Sequence, residues 1–215
     1  MGMSGTNAGS GFYGKLPWLG DFVQRRLPQE LVQAWDAHVS QLLPTVPAWA
    51  AESAVRIRPW AFLCAPETCG SSAFAGVVAP GVDRVGRCFP LLIAKVIRAD
   101  TDAGGLLRPN LPWFDAAWCL HVAVASGTVG SIEEFNERVL ALDGEDSGCA
   151  SDETLRSSDI GPVLRERREL WARCLEQGGS IWWRDAAVSC VLSGLPQTHD
   201  CQQAMLADRS MEVDA

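Results

Sequence analysis

The sequence predicts an α+β sandwich, a mainly antiparallel sheet of about five to six strands flanked by helices. Three observations carry that expectation. Apolar runs of strand length cluster in two blocks, around residues 55–97 and 181–192. Helical stripes gather between and beside those blocks instead of alternating with single strands, which argues against βαβ units. The links between neighbouring strands are short and punctuated by Gly and Pro, which suits antiparallel pairing.

The elements follow in order. Residues 1–10 are small and polar and read as a flexible leader. A short strand is expected at Phe12–Leu16, ended by Pro17. Pro28 opens a helix, where its missing N–H does no harm. Leu31, Trp35, Val39 and Leu42 recur at helical spacing and carry it to about Leu43, where Pro44 and Pro47 stop it. Ala48–Glu52 reads as one more short turn. Val55-Arg56-Ile57-Arg58 alternates as a half-buried strand does, and Trp60–Cys64 is a continuous apolar run. Ala73–Ala79 and Cys88–Ile97 are the next strands, joined by the glycine-rich turn Pro80–Arg87.

Asn110 and Pro112 signal a helix start, and Trp113, Ala117, Leu120 and Val124 share one face; Leu120–Ala125 as a strand is the alternative. Ser131-Ile132-Glu133-Glu134 is a capping box, continued by Phe135, Val139 and Leu142. Residues 143–159 are rich in Asp, Glu, Ser and Gly and are expected to form a mobile loop. Leu164–Glu176 reads as a charged helix ended by Gly178-Gly179. Ile181–Trp183 and Val188–Leu192 then form a hairpin, and Thr198 caps a last helix bearing Ala204 and Leu206. The whole reads as one domain over residues 11–210.

Composition narrows the function. At 47% hydrophobic and 20% charged residues, the chain is globular, not disordered. Its net charge of −8 opposes a nucleic-acid role unless a local basic face overcomes it. No apolar stretch reaches the ~20 residues a membrane helix needs. The first ten residues lack the basic start and apolar run of a secretory signal, so a cytoplasmic location is expected. In that reducing compartment the eight cysteines are expected to be mostly buried thiols, since several, such as Cys64 and Cys190, lie inside apolar runs.

No complete catalytic set emerges. Gly9–Lys15 fits Gly-x4-Gly-Lys, but Leu16 stands where a magnesium-holding hydroxyl is needed, and Pro17 opposes the following helix. Cys64-x4-Cys69 lacks the spacing and the second pair of a zinc site. His199-Asp200-Cys201 holds ligand types on adjacent residues, which do not converge on one ion from a helix. There is no Gly-x-Ser-x-Gly elbow. His38 and His121 sit beside or within apolar stripes, where a packed histidine is the plainer reading. The expectation is therefore no enzyme, no metal and no cofactor; the eight Cys and three His keep a Cys- or metal-dependent hydrolase as the remaining alternative.

The remaining polar residues fall in three segments. Lys15, Asp21, Arg25 and Arg26 lie among aromatics and glycines in and just after residues 11–23. Asp83, Arg84 and Arg87 lie in Pro80–Leu91. Trp182 and Trp183 are adjacent in a strand and must face opposite ways, followed by Gly194-Leu195-Pro196. Two readings stand open for these groups: Asp and Arg brace the loops, or Arg and Trp form a recognition surface.

Those three segments resemble the TagF family of bacterial type VI secretion. The resemblance runs from about residue 11 to 206. Within Pro80–Leu91 the family usually has Ser in place of Gly81 and often an aromatic in place of Cys88. The resemblance implies one longin-like or SRX-like α/β domain in a cytoplasmic accessory protein that is not an enzyme. It implies a post-translational negative regulator that binds the forkhead-associated scaffold protein of the secretion system, with no nucleic acid and no direct membrane insertion. A structural adaptor that promotes assembly is the alternative.

Overall fold

The structure, a computed structural model, describes residues 9–43, 59–97, 112–144, 160–184, 189–197 and 200. Its strands are β1 (Gly11–Gly14), β2 (Val23–Arg25), β3 (Trp60–Cys64), β4 (Ala73–Ala79), β5 (Leu91–Ile97), β6 (Ser180–Trp183) and β7 (Ser189–Leu192). Its helices are α1 (Gln29–Leu42), α2 (Pro112–Ala125), α3 (Ile132–Ala141) and α4 (Ile160–Gln177). The seven strands form one sheet in the order β2-β1-β5-β4-β3-β6-β7, antiparallel throughout. The α+β class expected from the sequence is the class found. The turn at Ala48–Glu52, the strand at 55–58, the Asn110 cap, most of the loop at 143–159 and the final helix lie outside the described residues.

The central strands read as unbroken apolar runs because helices cover both faces. Leu91 and Ile93 of β5, Ala61 and Leu63 of β3, and Ile181 and Trp183 of β6 join one core with α2, α3 and α4. Leu92 and Ala94, Phe62 and Cys64, and Trp182 join a second core with Leu31, Val32, Trp35 and Val39 of α1. The period of two along a strand thus sends alternate residues to different helices. Trp183 meets Phe114 of α2 edge-on, with centroids 5.0 Å apart. Trp182 stacks on Phe62 at 4.6 Å, and Trp35 of α1 lies parallel to Phe62 at 6.0 Å. Phe62 is paired with Gly76 across β3 and β4, and a Cβ on Gly76 would strike its ring. Glycine at that position makes the space in which the three rings stack.

Several boundaries differ from the expected ones. The first strand stops at Gly14, not Leu16, because Gly14 turns at φ 140. The third of the central strands begins at Leu91; Cys88 contributes only an isolated bridge to Val82. Helix α4 begins at Ile160, ahead of Leu164, with Pro162 in its first turn, where no helical N–H is required. Residues 112–125 are helical, which removes the strand alternative for Leu120–Ala125. The N-cap half of the capping box holds, with Glu134 N–H donating to Ser131 Oγ at 3.1 Å, while the Glu134 carboxylate accepts from the Gly130 N–H and not from that of Ser131.

One polar knot fastens the chain's first described residues. The Ser10 N–H and Oγ–H both donate to the Asp143 carboxylate, at 2.6 and 2.7 Å. Trp113 Nε1–H donates to Ser10 Oγ at 2.7 Å, and Arg26 Nε–H donates to the Ser10 carbonyl at 2.8 Å. Asp143, expected at the start of a mobile loop, is pinned here just past α3.

Candidate functional site: two loops joined by a buried ion pair

Register places the site. Tyr13 of β1 lies opposite Leu92 of β5, so the chain leaving β1 at Lys15 runs beside the chain entering β5. The β1–β2 connection, residues 15–22, therefore packs against the β4–β5 connection, residues 80–90. Arg84 N–H donates to the Leu19 carbonyl at 2.9 Å, and Arg87 Nη2–H donates to the Gly20 carbonyl. Gly81 permits the approach, since a Cβ there would lie 2.5 Å from the Phe89 carbonyl oxygen and 2.9 Å from that of Lys15.

At the junction, Lys15 Nζ donates to Asp83 Oδ2 at 2.9 Å. Both residues are buried, at 5% and 4% exposure. Arg87 Nε–H donates to the same oxygen at 2.7 Å, from a side chain that is 59% exposed. Asp83 Oδ1 accepts from the N–H groups of Val85 and Arg87, at 3.0 and 2.8 Å. Four donors thus satisfy one carboxylate. Burial alone would raise the Asp83 pKa. The Lys15 ammonium, the Arg87 N–H and guanidinium and the Val85 N–H outweigh it and hold the carboxyl well below the usual range.

Aromatics frame the pair. Lys15 Nζ sits 5.0 Å from the Phe22 ring centroid. Phe22 stacks on Tyr13 at 5.7 Å and meets Phe89 edge-on at 4.7 Å. Tyr13 in turn donates its hydroxyl to Asp36 of α1, and burial, ahead of that carboxylate, pushes its pKa up. Phe22 remains 43% exposed and Val85, at the tip of the second loop, 66%.

Of the residues singled out from the sequence, the fold therefore unites Lys15, Asp83, Arg84 and Arg87. An Asp–Arg contact of the loop-bracing kind, one of the two readings left open by the sequence, exists as Asp83–Arg87. Asp21 is exposed and, among the described residues, accepts only from the N–H of Phe22. Arg25 is exposed and bonds the Gln24 carbonyl. Arg26 turns away into the Ser10 knot and donates to Asn136 Oδ1 at 2.7 Å. Trp182 and Trp183 are core residues, 4% and 9% exposed, because helices cover both faces of β6. Sequence reasoning missed β2, and with it the fact that residues 15–22 form a hairpin loop. It also passed over Phe22 and Val85 as exposed side chains; an apolar residue next to Gly, Asp or Arg in each loop was the available signal.

The described groups weighed for catalysis are packed; His199 and Cys201 lie outside the described residues. His121 is buried, with Nε2 3.1 Å from the Val77 carbonyl, and burial brings its pKa down to about 4. His38 Nε2 lies 2.8 Å from the Pro196 carbonyl, and burial lowers its pKa too. The free thiol of Cys69 beside Cys64, together with burial, pushes the Cys64 thiol up. Burial likewise raises Cys174 and Cys190. Raised thiol pKa values disfavour the thiolate nucleophile. No group of three or more His, Cys, Asp or Glu among the described residues could hold a metal ion. No helix among them is long and apolar enough to cross a membrane.

The family model for the TagF N-terminal domain, type VI secretion system-associated, matches residues 11–142, more than half of the chain and both loops of the site. The chain belongs to the TagF family. A crystal structure of PA0076 from Pseudomonas aeruginosa PAO1 is 31% identical, with a TM-score of 0.68, covering 88% of this chain and 90% of that one. Among curated proteins none matches. This TagF-family chain is thus a type VI secretion-associated protein, and the matched region contains the two loops that Lys15 and Asp83 join.

Proposed function

We propose that this TagF-family protein is a cytoplasmic, post-translational negative regulator of type VI secretion, acting by binding the system's forkhead-associated scaffold protein and not by catalysis. One observation carries the binding reading. The two loops that bear the family resemblance are locked together by a buried ion pair, and they hold exposed side chains above it. Pre-set loops lose little freedom on association, which favours recognition. The thiols and imidazoles described above are tuned away from reactivity, which favours binding over a hydrolase. The partner and the sign of regulation come from the family resemblance.

The test is direct. Purified protein mixed with the purified scaffold should form a complex on size-exclusion chromatography. Deleting the gene should raise secretion. Loss of secretion on deletion would instead support an adaptor, and two proteins eluting separately at micromolar concentrations would remove the scaffold from the account.

A further inference from the structure

We infer that Phe22, Arg84, Val85 and the exposed flank of Arg87 form the docking surface, and that its occupant is an acidic segment of a partner protein, with an apolar side chain among its carboxylates. The inference rests on the binding reading above and adds the place and the chemistry of the contact.

Charge is the first argument. The chain carries −8 overall, yet this loop pair gathers Lys15, Arg84 and Arg87 against Asp21 and Asp83. Asp83 is fully committed to its four donors. Asp21 accepts from its own neighbour and pairs with no described cation. The Arg84 side chain is exposed and has no hydrogen-bonding partner among the described residues. A local cationic surface attracts anionic partners.

Apolar exposure is the second argument. Val85 is the most exposed of the described large hydrophobics, and Phe22 lies on the other loop of the same pair. Leu140, 48% exposed, offers the contrast: it neighbours Arg138, whose guanidinium is taken by Glu134 at 2.7 Å. An aromatic anchor flanked by arginine matches the residue types that dominate binding energy.

Rigidity is the third. Phe22 is held by Tyr13, Phe89 and Lys15, and Val85 by its N–H bond to Asp83. The surface is therefore formed before a partner arrives.

The test places a photo-crosslinking benzoylphenylalanine at Val85, and for comparison at Leu140, in cells producing the secretion system. The crosslinked segment is then identified by mass spectrometry, and scaffold co-purification is scored in the same sample. Position 85 should capture a Glu- or Asp-rich segment, position 140 should not, and Arg84→Glu should cut the yield about tenfold, the loss of a peripheral charge contact reversed in sign. Arg138→Glu should leave it unchanged. Capture of an acidic segment from another protein supports the surface and overturns the scaffold as partner. Equal capture at both positions, or capture that Arg84→Glu leaves intact, overturns the surface; the scaffold reading then stands or falls on co-purification alone.

Discussion

Lys15 and Asp83 stand 68 residues apart in sequence, and no local pattern marks them as a pair. Each is legible only as a polar residue in a glycine-rich loop, indistinguishable from Asp21 or Arg25. What separates them is register: the β1–β5 pairing brings one loop end to the other. Truncating one member of a buried pair leaves the other desolvated. Lys15→Met should therefore cost about 3 kcal/mol, the low end for a broken buried pair because Arg87 still reaches Asp83. Urea unfolding followed by tryptophan fluorescence measures it. Arg87→Ala, which removes a mostly exposed side chain, should cost well under half as much. Equal losses would show that the buried ammonium has no special role.

Among the elements, β3, β4 and β5 were legible as apolar runs, α1 by its stripe and α3 by its cap. Each carries its own signal, because burial on both faces or a helical period is written into a single segment. Strand β2 carries none. Val23-Gln24-Arg25 is three residues long, and only its pairing with β1 makes it a strand. The stacked rings of α1, β3 and β6, beside Gly76 of β4, show the same limit. Gly76 within an apolar strand signals a close approach but not what approaches. Gly76→Val should displace the Phe62 ring from its contacts with Trp35 and Trp182 and cost about 2–4 kcal/mol, by overpacking and lost stacking. Near-ultraviolet circular dichroism should lose tryptophan signal in parallel; an unchanged spectrum would place the ring elsewhere.

For the whole molecule, the titratable groups define a stability optimum. His121 falls from 6.5 to about 4 on folding. Between those values the unfolded chain binds the extra proton, so stability is lost as pH drops through that window, up to about 3 kcal/mol. His38 acts in the same direction. Asp83, depressed in the folded state, adds a further loss below about pH 4. Asp115, raised by burial, works weakly in the opposite sense. On the alkaline side, the raised Tyr13 and Cys64 make folding less favourable as pH climbs past their ordinary values. The melting temperature should thus peak between about pH 7 and 8 and fall on both sides. In His121→Gln the decline between pH 6.5 and 4 should flatten; a profile identical to the parent would mean that His121 is not the titrating group.

The Ser10 knot bears on where this fold is taken to start. The family match opens at Gly11, one residue too late. A truncation cut at that boundary would strip the Asp143 carboxylate of two donors and leave the Trp113 indole and the Arg26 guanidinium each short of an acceptor. Arg26 already sits at φ 58, a backbone angle a non-glycine residue holds only when its surroundings enforce it. Trimming to the motif would thus free β2 to relax, and with it the hairpin that carries Phe22, so the minimal folded fragment is longer than the recognisable one.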